Sequence, residues 1–203
     1  AYDMSVMARE LLKHEKILDF TRVYEEYLNK PDGSQIWLVN TNKLVRFYDG
    51  VDGLKTGFTQ KAGYCLTATG KKNNLRLISV VMGEESIEKR SSDTVKLLNY
   101  GFNTFKVNLI KNKSEILGKV NVQKGKKENV DVVLVNDLIE LLNASDKPSN
   151  YKFKILVDKI TAPVKKGDVI GKVKVLNDNG ILISEVDITV NENVLKANLW
   201  DLF

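Results

Sequence analysis

The most informative part of this sequence reads Val51-Asp52-Gly53-Leu54-Lys55-Thr56-Gly57-Phe58-Thr59. On an edge strand, the cation of Lys55 would attract a carboxylate and lower the cost of a nearby alkoxide. Thr56 would offer a hydroxyl to the same carboxylate, and Gly57 would let a ligand backbone lie close to the strand. Three residues recur by chance, however, and the tripeptide alone favours a turn glycine that closes a surface strand.

The residues after this stretch predict a β-hairpin followed by a helix. Tyr64–Gly70 and Leu75–Met82 are rich in strand formers, and Lys71–Asn74 between them ends in two asparagines, which tolerate turn geometry. The second arm is almost continuously apolar, which predicts a central strand. A helix is predicted over Ile87–Phe105, and its apolar residues face a core. These are Val95, Leu97, Leu98, Phe102 and Phe105.

The residues before the stretch predict two helical segments and a strand. Met4–Leu12 carries apolar residues at helical spacing, and further helical turns are predicted from Lys16 to about Leu28. Pro31–Ser34 is a turn cluster, and Ile36–Val39 is a short strand. Asn40–Asp52 has an irregular pattern.

Beyond Phe105 the sequence predicts a β-rich domain. Short runs of strand formers at regular spacing are typical of a small sandwich or barrel, and Asp137–Asn143 is interpreted as a helical turn. We place the domain boundary near Lys106, so that residues 1–105 and 106–203 form two domains of an α+β protein. The strands are predicted at Val107–Ile110, Ser114–Val122, Val130–Val135, Tyr151–Val157, Asp168–Leu176 and Ile181–Val190.

Composition excludes several classes of function. Of 203 residues, 43% are hydrophobic, so a buried core is possible. The 31 basic and 26 acidic residues leave a net charge of +5, but the basic residues are scattered and do not indicate nucleic-acid binding. A single cysteine, Cys65, and a single histidine, His14, exclude a disulfide framework, a Cys-rich metal site and a Ser-His-Asp triad. His14 is interpreted as a cation at the end of a helix, and Cys65 as a buried strand residue rather than a reactive thiol.

Lys-Thr-Gly is also one of three motifs of the active-site serine acyl transferases that react with penicillin. Its surroundings make the sequence resemble the low-molecular-mass penicillin-binding proteins, and more specifically the D-alanyl-D-alanine carboxypeptidases. The resemblance spans nearly the whole chain, including a β-rich C-terminal domain. It is carried by Asn40-Thr41-Asn42, Val51–Gly57, Ala62-Gly63-Tyr64, Arg76–Gly83 and the helix from Arg90 to Gly101-Phe102.

The resemblance implies a fold and a site. The first domain would be the C-terminal part of a penicillin-binding/β-lactamase-like α/β sandwich with an antiparallel sheet. Lys55, Thr56 and Gly57 would bind the substrate carboxylate, Phe58 N–H would lie in the oxyanion hole, and Arg90 would help to hold the carboxylate. Arg90 could equally be a helix-start cation paired with a nearby glutamate. The substrate would be a peptidoglycan stem peptide that ends in D-Ala-D-Ala, β-lactam antibiotics would inhibit, and no metal or organic cofactor would be required.

The family's nucleophile belongs to a Ser-x-x-Lys motif well upstream of Lys-Thr-Gly, and we expect it to lie outside this chain. Ser86-Ile87-Glu88-Lys89 has the right letters but follows Lys-Thr-Gly, so Ser86 is interpreted as a helix cap. Two alternatives stay open: a β-lactamase, which normally lacks the appended β domain, and a non-catalytic binding or scaffolding fragment at the cell wall.

The resemblance also implies an exported protein at the outer face of the bacterial cytoplasmic membrane or in the cell wall. Residues Val194–Phe203 are apolar enough to begin an amphipathic helix on a membrane surface. Packing of Trp200 and Phe203 on the β domain explains the same residues equally well.

Overall fold

Val51–Thr59, Gly63–Lys72 and Leu75–Glu84 form a three-stranded antiparallel sheet, in that order, within the residues that the structure describes. The structure is a computed structural model and describes residues 1–198. The sheet belongs to the first of two units, Ala1–Lys106, and the second unit begins at Val107. The elements of the first unit are α1 (Tyr2–Leu11), α2 (Ile17–Thr21), β1 (Glu25–Asn29), β2 (Gln35–Val39), α3 (Leu44–Phe47), β3 (Val51–Thr59), β4 (Gly63–Lys72), β5 (Leu75–Glu84) and α4 (Ile87–Thr104).

The core of the first unit lies between the sheet and α4. Leu98 on the helix and Leu66 on β4 are each only 1% exposed and belong to one apolar cluster. A Cβ on Gly101 would lie 2.4 Å from Leu77 Cδ1, so α4 approaches β5 closely here and a larger residue would displace the Leu77 side chain. The predicted hairpin and helix are thus confirmed. Leu97 is an exception, because it is 48% exposed and does not face the core as predicted. It lies one residue, about 100°, around the helix from Leu98.

The prediction that Leu75–Met82 is a central strand is wrong for the described chain. β4 lies in the middle of the sheet and β5 at an edge. The apolar run of β5 has another cause, since α4 and α1 both pack on this strand. Burial of the faces of a strand gives the same sequence pattern as a central position in the sheet.

The predicted helix over Lys16–Leu28 is only partly present. Helix α2 ends at Thr21, and the residues from Glu25 onward form β1, which pairs antiparallel with β2. The residues Glu25–Leu28 contain no helix breaker, so local propensity favours a helix. Pairing with β2, which was predicted as a strand, overrides that propensity. The segment predicted as irregular contains the one-turn helix α3.

The second unit is β-rich, as predicted. Its strands are β6 (Phe105–Lys111), β7 (Gly118–Gln123), β8 (Asn129–Leu134), β9 (Leu138–Asn143), β10 (Lys152–Val157), β11 (Ile160–Thr161), β12 (Gly171–Leu176) and β13 (Leu182–Val190). Over the described residues, six of them form a sheet in the order β10-β12-β13-β8-β7-β11, and β6 pairs with β9. Fully buried valines and isoleucines of β12 and β13, such as Val173, Val175 and Ile188, are at the centre of its core.

The predicted helical turn at Asp137–Asn143 is wrong, because these residues form β9. Leu138 is fully buried and packs in the core of the second unit, and burial then alternates along the strand. Alternation has a period of two, which suits a strand and not a helix. The leucine-rich composition of this segment favours a helix locally, so the tertiary contact of Leu138 decides the outcome.

The C-terminal segment begins against the second unit. Val194 is 2% exposed and forms a bridge with Val164, so the described part of this segment does not begin a helix, contrary to one of the two interpretations. The other interpretation concerns Trp200 and Phe203, which lie outside the described residues. Within residues 1–198, the structure contains no helix that is both long enough and apolar enough to cross a bilayer.

Leu98 and Leu97 provide a matched test of the core of the first unit. Leu98→Ala removes a fully packed side chain, so it should lower the free energy of unfolding by about 2–5 kcal/mol. Leu97→Ala removes the same atoms from an exposed position and should change it by less than about 1 kcal/mol. Urea unfolding followed by circular dichroism measures both. Equal losses in the two variants would contradict the packing of α4 on the sheet.

Candidate active site

The Lys-Thr-Gly residues lie where β3 leaves the core. Val51, Gly53 and Leu54 are buried, whereas the strand from Lys55 onward is mostly exposed. β3 pairs on one side with β4 and lies at an edge of the sheet in the described chain. Lys55, Thr56 and Gly57 are therefore presented on an edge strand whose first half is fixed in the core.

Two polar contacts hold the start of β3. The carboxylate of Asp52 accepts two hydrogen bonds from the guanidinium of Arg76 on β5, at 2.9 and 2.8 Å. The Thr21 hydroxyl at the end of α2 donates to the Asp52 carbonyl at 2.7 Å. A bidentate, half-buried arginine–carboxylate pair fixes both distance and angle. The strand is thereby anchored on both sides before it reaches Lys55.

The Asn40-Thr41-Asn42 segment lies alongside β3. The Asn42 side chain is 1% exposed, and its Nδ2 donates to the Gly53 carbonyl at 3.1 Å. Its Oδ1 accepts from the Leu44 N–H at 3.3 Å, at the start of α3. Thr41, next to it, is exposed, and its hydroxyl oxygen lies 2.6 Å from that of Thr56.

An open groove of about 510 Å³ is formed at this point. Its charged side chains are three cations, from Lys43, Lys55 and Arg90, and one anion, from Glu88. Because the cations outnumber the anion, the groove favours an anionic ligand. Its lining residues are Thr41, Lys43, Lys55, Thr56, Gly57, Phe58, Tyr64, Ile87, Glu88 and Arg90.

The three motif residues differ in what they offer to a ligand. Lys55 is exposed, and its Nζ donates to the Thr56 carbonyl at 2.7 Å, a neutral acceptor that leaves its charge uncompensated. A Cβ added to Gly57 would meet nothing nearer than the Cys65 Cβ, at 4.0 Å. The fold therefore does not require a glycine here, and the space above it is open to the groove. The Phe58 ring stacks on Tyr64 with centroids 4.5 Å apart and forms an aromatic wall.

Arg90 lies in the first turns of α4 and reaches the same groove. It is 4% exposed; its Nη2 lies 3.4 Å from the Thr41 carbonyl, and its buried Nε has no partner among the described residues. Burial lowers the pKa of the guanidinium, although the nearby Glu88 carboxylate opposes this shift. An arginine remains charged nonetheless. The described ion pairs do not join Arg90 to Glu84, Glu85 or Glu88, which was the alternative interpretation.

Ser86 is the N-cap of α4, as predicted. Its hydroxyl oxygen accepts a hydrogen bond from the Lys89 N–H at 3.1 Å, and its backbone is extended. The Lys89 ammonium lies 3.5 Å from the carboxylate of Asp93, one turn further along the helix. The same Ser-x-x-Lys letters occur at Ser149–Lys152, which lead into β10 of the second unit. The serine and the lysine of these two occurrences are not among the residues that line the groove.

Cys65 and His14 each differ in one respect from the sequence interpretation. Cys65 lies on a strand as predicted but is half-buried rather than buried, and His14 lies beyond the end of its helix. The half-buried Cys65 thiol donates to the Ala62 carbonyl at 3.3 Å and lies opposite Gly57 in the β3–β4 register. Helix α1 ends at Leu11, and His14 follows it as an exposed residue whose N–H donates to the Leu11 carbonyl at 3.0 Å. The backbone of His14 thus contacts the helix end.

The sequence interpretation missed part of the groove. It assigned no ligand-binding role to Thr41, Lys43, Tyr64 or Glu88, although each lines the groove with Lys55. The signal that could have indicated Thr41 is its position between two asparagines, because asparagine side chains often bond to the backbone of turns.

Comparisons with known proteins cover both units. Residues 1–86 match the family described as D-alanyl-D-alanine carboxypeptidase, and residues 105–196 match the C-terminal domain of penicillin-binding protein 5. The chain is 38% identical over 198 residues to the D-alanyl-D-alanine carboxypeptidase DacF of Bacillus subtilis, covering 97% of this chain and 51% of the relative. It is 31% identical to DacA of Haemophilus influenzae, covering 99% of this chain and 52% of the relative. The chain thus spans about half the length of these relatives.

Solved structures show the same likeness. Penicillin-binding protein 5 from Haemophilus influenzae superposes with a TM-score of 0.61 at 31% identity and covers 88% of this chain and 51% of that one. The peptidoglycan synthesis regulatory factor PBP3 from Streptococcus pneumoniae superposes with a TM-score of 0.70 over 96% of this chain and 56% of that one. Its identity is 24%, so it supports the fold alone.

Substitution of Ser86 tests its role as a cap. Ser86→Ala should lower the free energy of unfolding by about 0.5–2 kcal/mol, because the Lys89 N–H loses its acceptor. Ser86→Asp should restore most of the stability, since aspartate is an equally good cap and suits the positive end of the helix dipole. Urea unfolding of the three proteins measures this. Loss of stability in both variants would show that the hydroxyl has another function.

Proposed function

Because this chain belongs to the D-alanyl-D-alanine carboxypeptidase family through residues 1–86 and carries the penicillin-binding protein 5 C-terminal domain, we propose that it supplies the carboxylate-binding side of a serine D-alanyl-D-alanine carboxypeptidase. One observation carries the proposal. Lys55, Thr56 and Gly57 lie on an edge strand and line a groove in which the cations outnumber the anion. The proposed substrate is a peptidoglycan stem peptide that ends in D-Ala-D-Ala.

The edge of β3 can hold the substrate in an extended form. The strand pairs only with β4 in the described chain, so its other edge has no partner strand, and the open space at Gly57 lets a peptide backbone approach. We assign the terminal carboxylate to the Lys55 ammonium and the Thr56 hydroxyl, which are adjacent in the groove. The buried charge of Arg90 adds to the positive potential there.

The proposed reaction is an acyl transfer in two steps. A serine outside this chain attacks the carbonyl carbon between the two D-alanines, and a partner lysine accepts the serine proton. The peptide C–N bond then breaks, the leaving nitrogen gains a proton, and free D-alanine departs. Water hydrolyses the ester that remains and regenerates the serine. During both steps the Phe58 N–H stabilises the oxyanion.

The chain's own residues argue against a nucleophile within it. Ser86 accepts a hydrogen bond as a helix cap, and Lys89 lies beside Asp93, so the two side chains do not form an activated pair. The match of residues 105–196 to a carboxypeptidase-type C-terminal domain favours a carboxypeptidase over a β-lactamase. A cell-wall substrate further implies a location outside the cytoplasm.

Benzylpenicillin tests where the nucleophile lies. The chain of 203 residues should keep an unshifted intact mass after incubation, because it has no activated serine. The longer gene product that the proposal requires should gain one covalent adduct and should release D-alanine from a D-Ala-D-Ala peptide. An adduct on the shorter chain would contradict the assignment of Ser86. A longer protein that forms no adduct and releases no D-alanine would support the non-catalytic alternative.

Lys55 tests the carboxylate site within that longer protein. Lys55→Gln should lower kcat/KM for a D-Ala-D-Ala peptide by about 10- to 100-fold, because a charge-assisted hydrogen bond to the carboxylate is lost. Lys61→Gln is the matched control, since Lys61 is exposed on the β3–β4 turn and does not line the groove. D-alanine release measures both variants. A loss of similar size in the control would mean that general charge, rather than Lys55, attracts the substrate.

A further inference from the structure

The two hydroxyls at Thr41 and Thr56 form a pair with defined hydrogen-bonding capacity. Their oxygens are 2.6 Å apart, so one hydroxyl donates to the other. Each hydroxyl has one proton, and one of the two protons forms the hydrogen bond between them. The remaining proton is free to be donated to a third group. If Thr41 donates to Thr56, the free proton belongs to Thr56 and can turn toward the groove.

The backbone on both sides of Thr41 is fixed independently of its side chain. Asn40 Nδ2 donates to the carbonyls of Thr21 and Val23, at 3.0 and 2.9 Å. On the other side, Asn42 is buried and bonds to the Gly53 carbonyl. The Thr41 hydroxyl is therefore not needed to hold this segment, and it remains at a set distance from Thr56.

The surroundings of the pair favour a carboxylate as the third group. Both threonines line the groove that contains Lys43, Lys55 and the buried Arg90, and Thr41 itself is exposed. Arg90 Nη2 also faces the Thr41 carbonyl, so the cation is aligned with the same segment. An anion in this groove accepts protons but donates none. Because the proposed function places the carboxylate at the Thr56 hydroxyl, the bound anion selects the arrangement in which Thr41 donates to Thr56 and Thr56 points its proton outward.

We propose that Thr41 is a specificity-determining residue: by donating to Thr56 it orients the Thr56 proton toward the terminal carboxylate, so that the site prefers a free C-terminal acid over a C-terminal amide. This inference rests on the proposed function, because it takes the groove to bind the carboxylate of the scissile D-Ala-D-Ala peptide. A terminal amide keeps one acceptor oxygen and has N–H donors in place of the other. When Lys55 binds that remaining oxygen, the outward proton of Thr56 meets another donor. Thr41 thus acts through Thr56 as a positioning residue.

The experiment compares two substrates within each variant of the longer gene product. A D-Ala-D-Ala peptide with a free acid and the same peptide with a C-terminal amide are hydrolysed by wild type, Thr41→Val, Thr41→Ser and Thr59→Val. Valine has nearly the shape of threonine without the hydroxyl, and serine keeps the hydroxyl. Thr59 is the matched control, because its hydroxyl bonds to the Ala62 N–H in the β3–β4 turn and does not line the groove.

The readout is the ratio of kcat/KM for the acid to kcat/KM for the amide. This ratio does not depend on how much of each preparation is folded. Thr41→Val should lower the ratio by up to about tenfold, because the Thr56 proton loses the partner that orients it and the full loss of one hydrogen bond to a charged group is the upper limit. Thr41→Ser and Thr59→Val should stay close to wild type.

Each other outcome overturns the inference. An unchanged ratio in Thr41→Val, or equal loss of activity on both substrates, would mean that the hydroxyl has a structural function or none. A lowered ratio in Thr41→Ser as well would assign the effect to the methyl group. A wild-type protein that hydrolyses neither substrate would refute the proposed function itself, which this design separates from failure of the role of Thr41.

Discussion

The arrangement of the groove depends on one buried amide. Asn42 donates to the Gly53 carbonyl and accepts from the Leu44 N–H while it is almost fully buried. A buried amide or carbonyl without a partner costs on the order of 1–3 kcal/mol, so these three groups are fixed to one another. The contact sets the distance between the segment before α3 and the buried half of β3. Thr41 immediately precedes Asn42, and Thr56 lies three residues after Gly53, so the same contact sets the distance between the two threonines.

The same constraint explains why the exposed end of β3 is well placed. Val51, Gly53 and Leu54 are held in the core, and Asp52 is paired with Arg76. The strand then has no freedom to shift its register against β4, because a shift of one residue would move each side chain to the opposite face. The buried half of β3, which stabilises the fold, thus fixes the orientation of the exposed half that begins at Lys55.

Much of the fold could be predicted because its signals are local. The β4–β5 hairpin follows from strand formers on either side of two asparagines, and both asparagines adopt positive φ. The cap of α4 follows from Ser86 at its start. Leu138 and the residues of β1 could not be predicted, because a distant core or a partner strand decides their structure. Lys55, Thr56 and Gly57 were found from their motif, whereas Arg90 was expected only from resemblance. The contact between Thr41 and Thr56 joins two separate segments, and no helical or strand periodicity in the sequence indicates that they meet.

Arg90 and Lys55 differ in burial, and they therefore differ in how they can act on a ligand in the groove. Arg90 is nearly inaccessible, and its Nε is enclosed, so in the proposed function its charge would act on the carboxylate through space rather than by a bidentate contact. Lys55 is exposed and can move to meet a carboxylate, but an ammonium on a flexible stem gives little directional selectivity. Direction must then come from groups that are both accessible and fixed. Among the polar side chains of the groove, the hydroxyl pair of Thr41 and Thr56 is both accessible and fixed. Thr41 is exposed, and it is held at hydrogen-bonding distance from Thr56, which lies on the anchored strand. In the proposed site, the cations thus attract the carboxylate, whereas the hydroxyl pair distinguishes a C-terminal acid from a C-terminal amide.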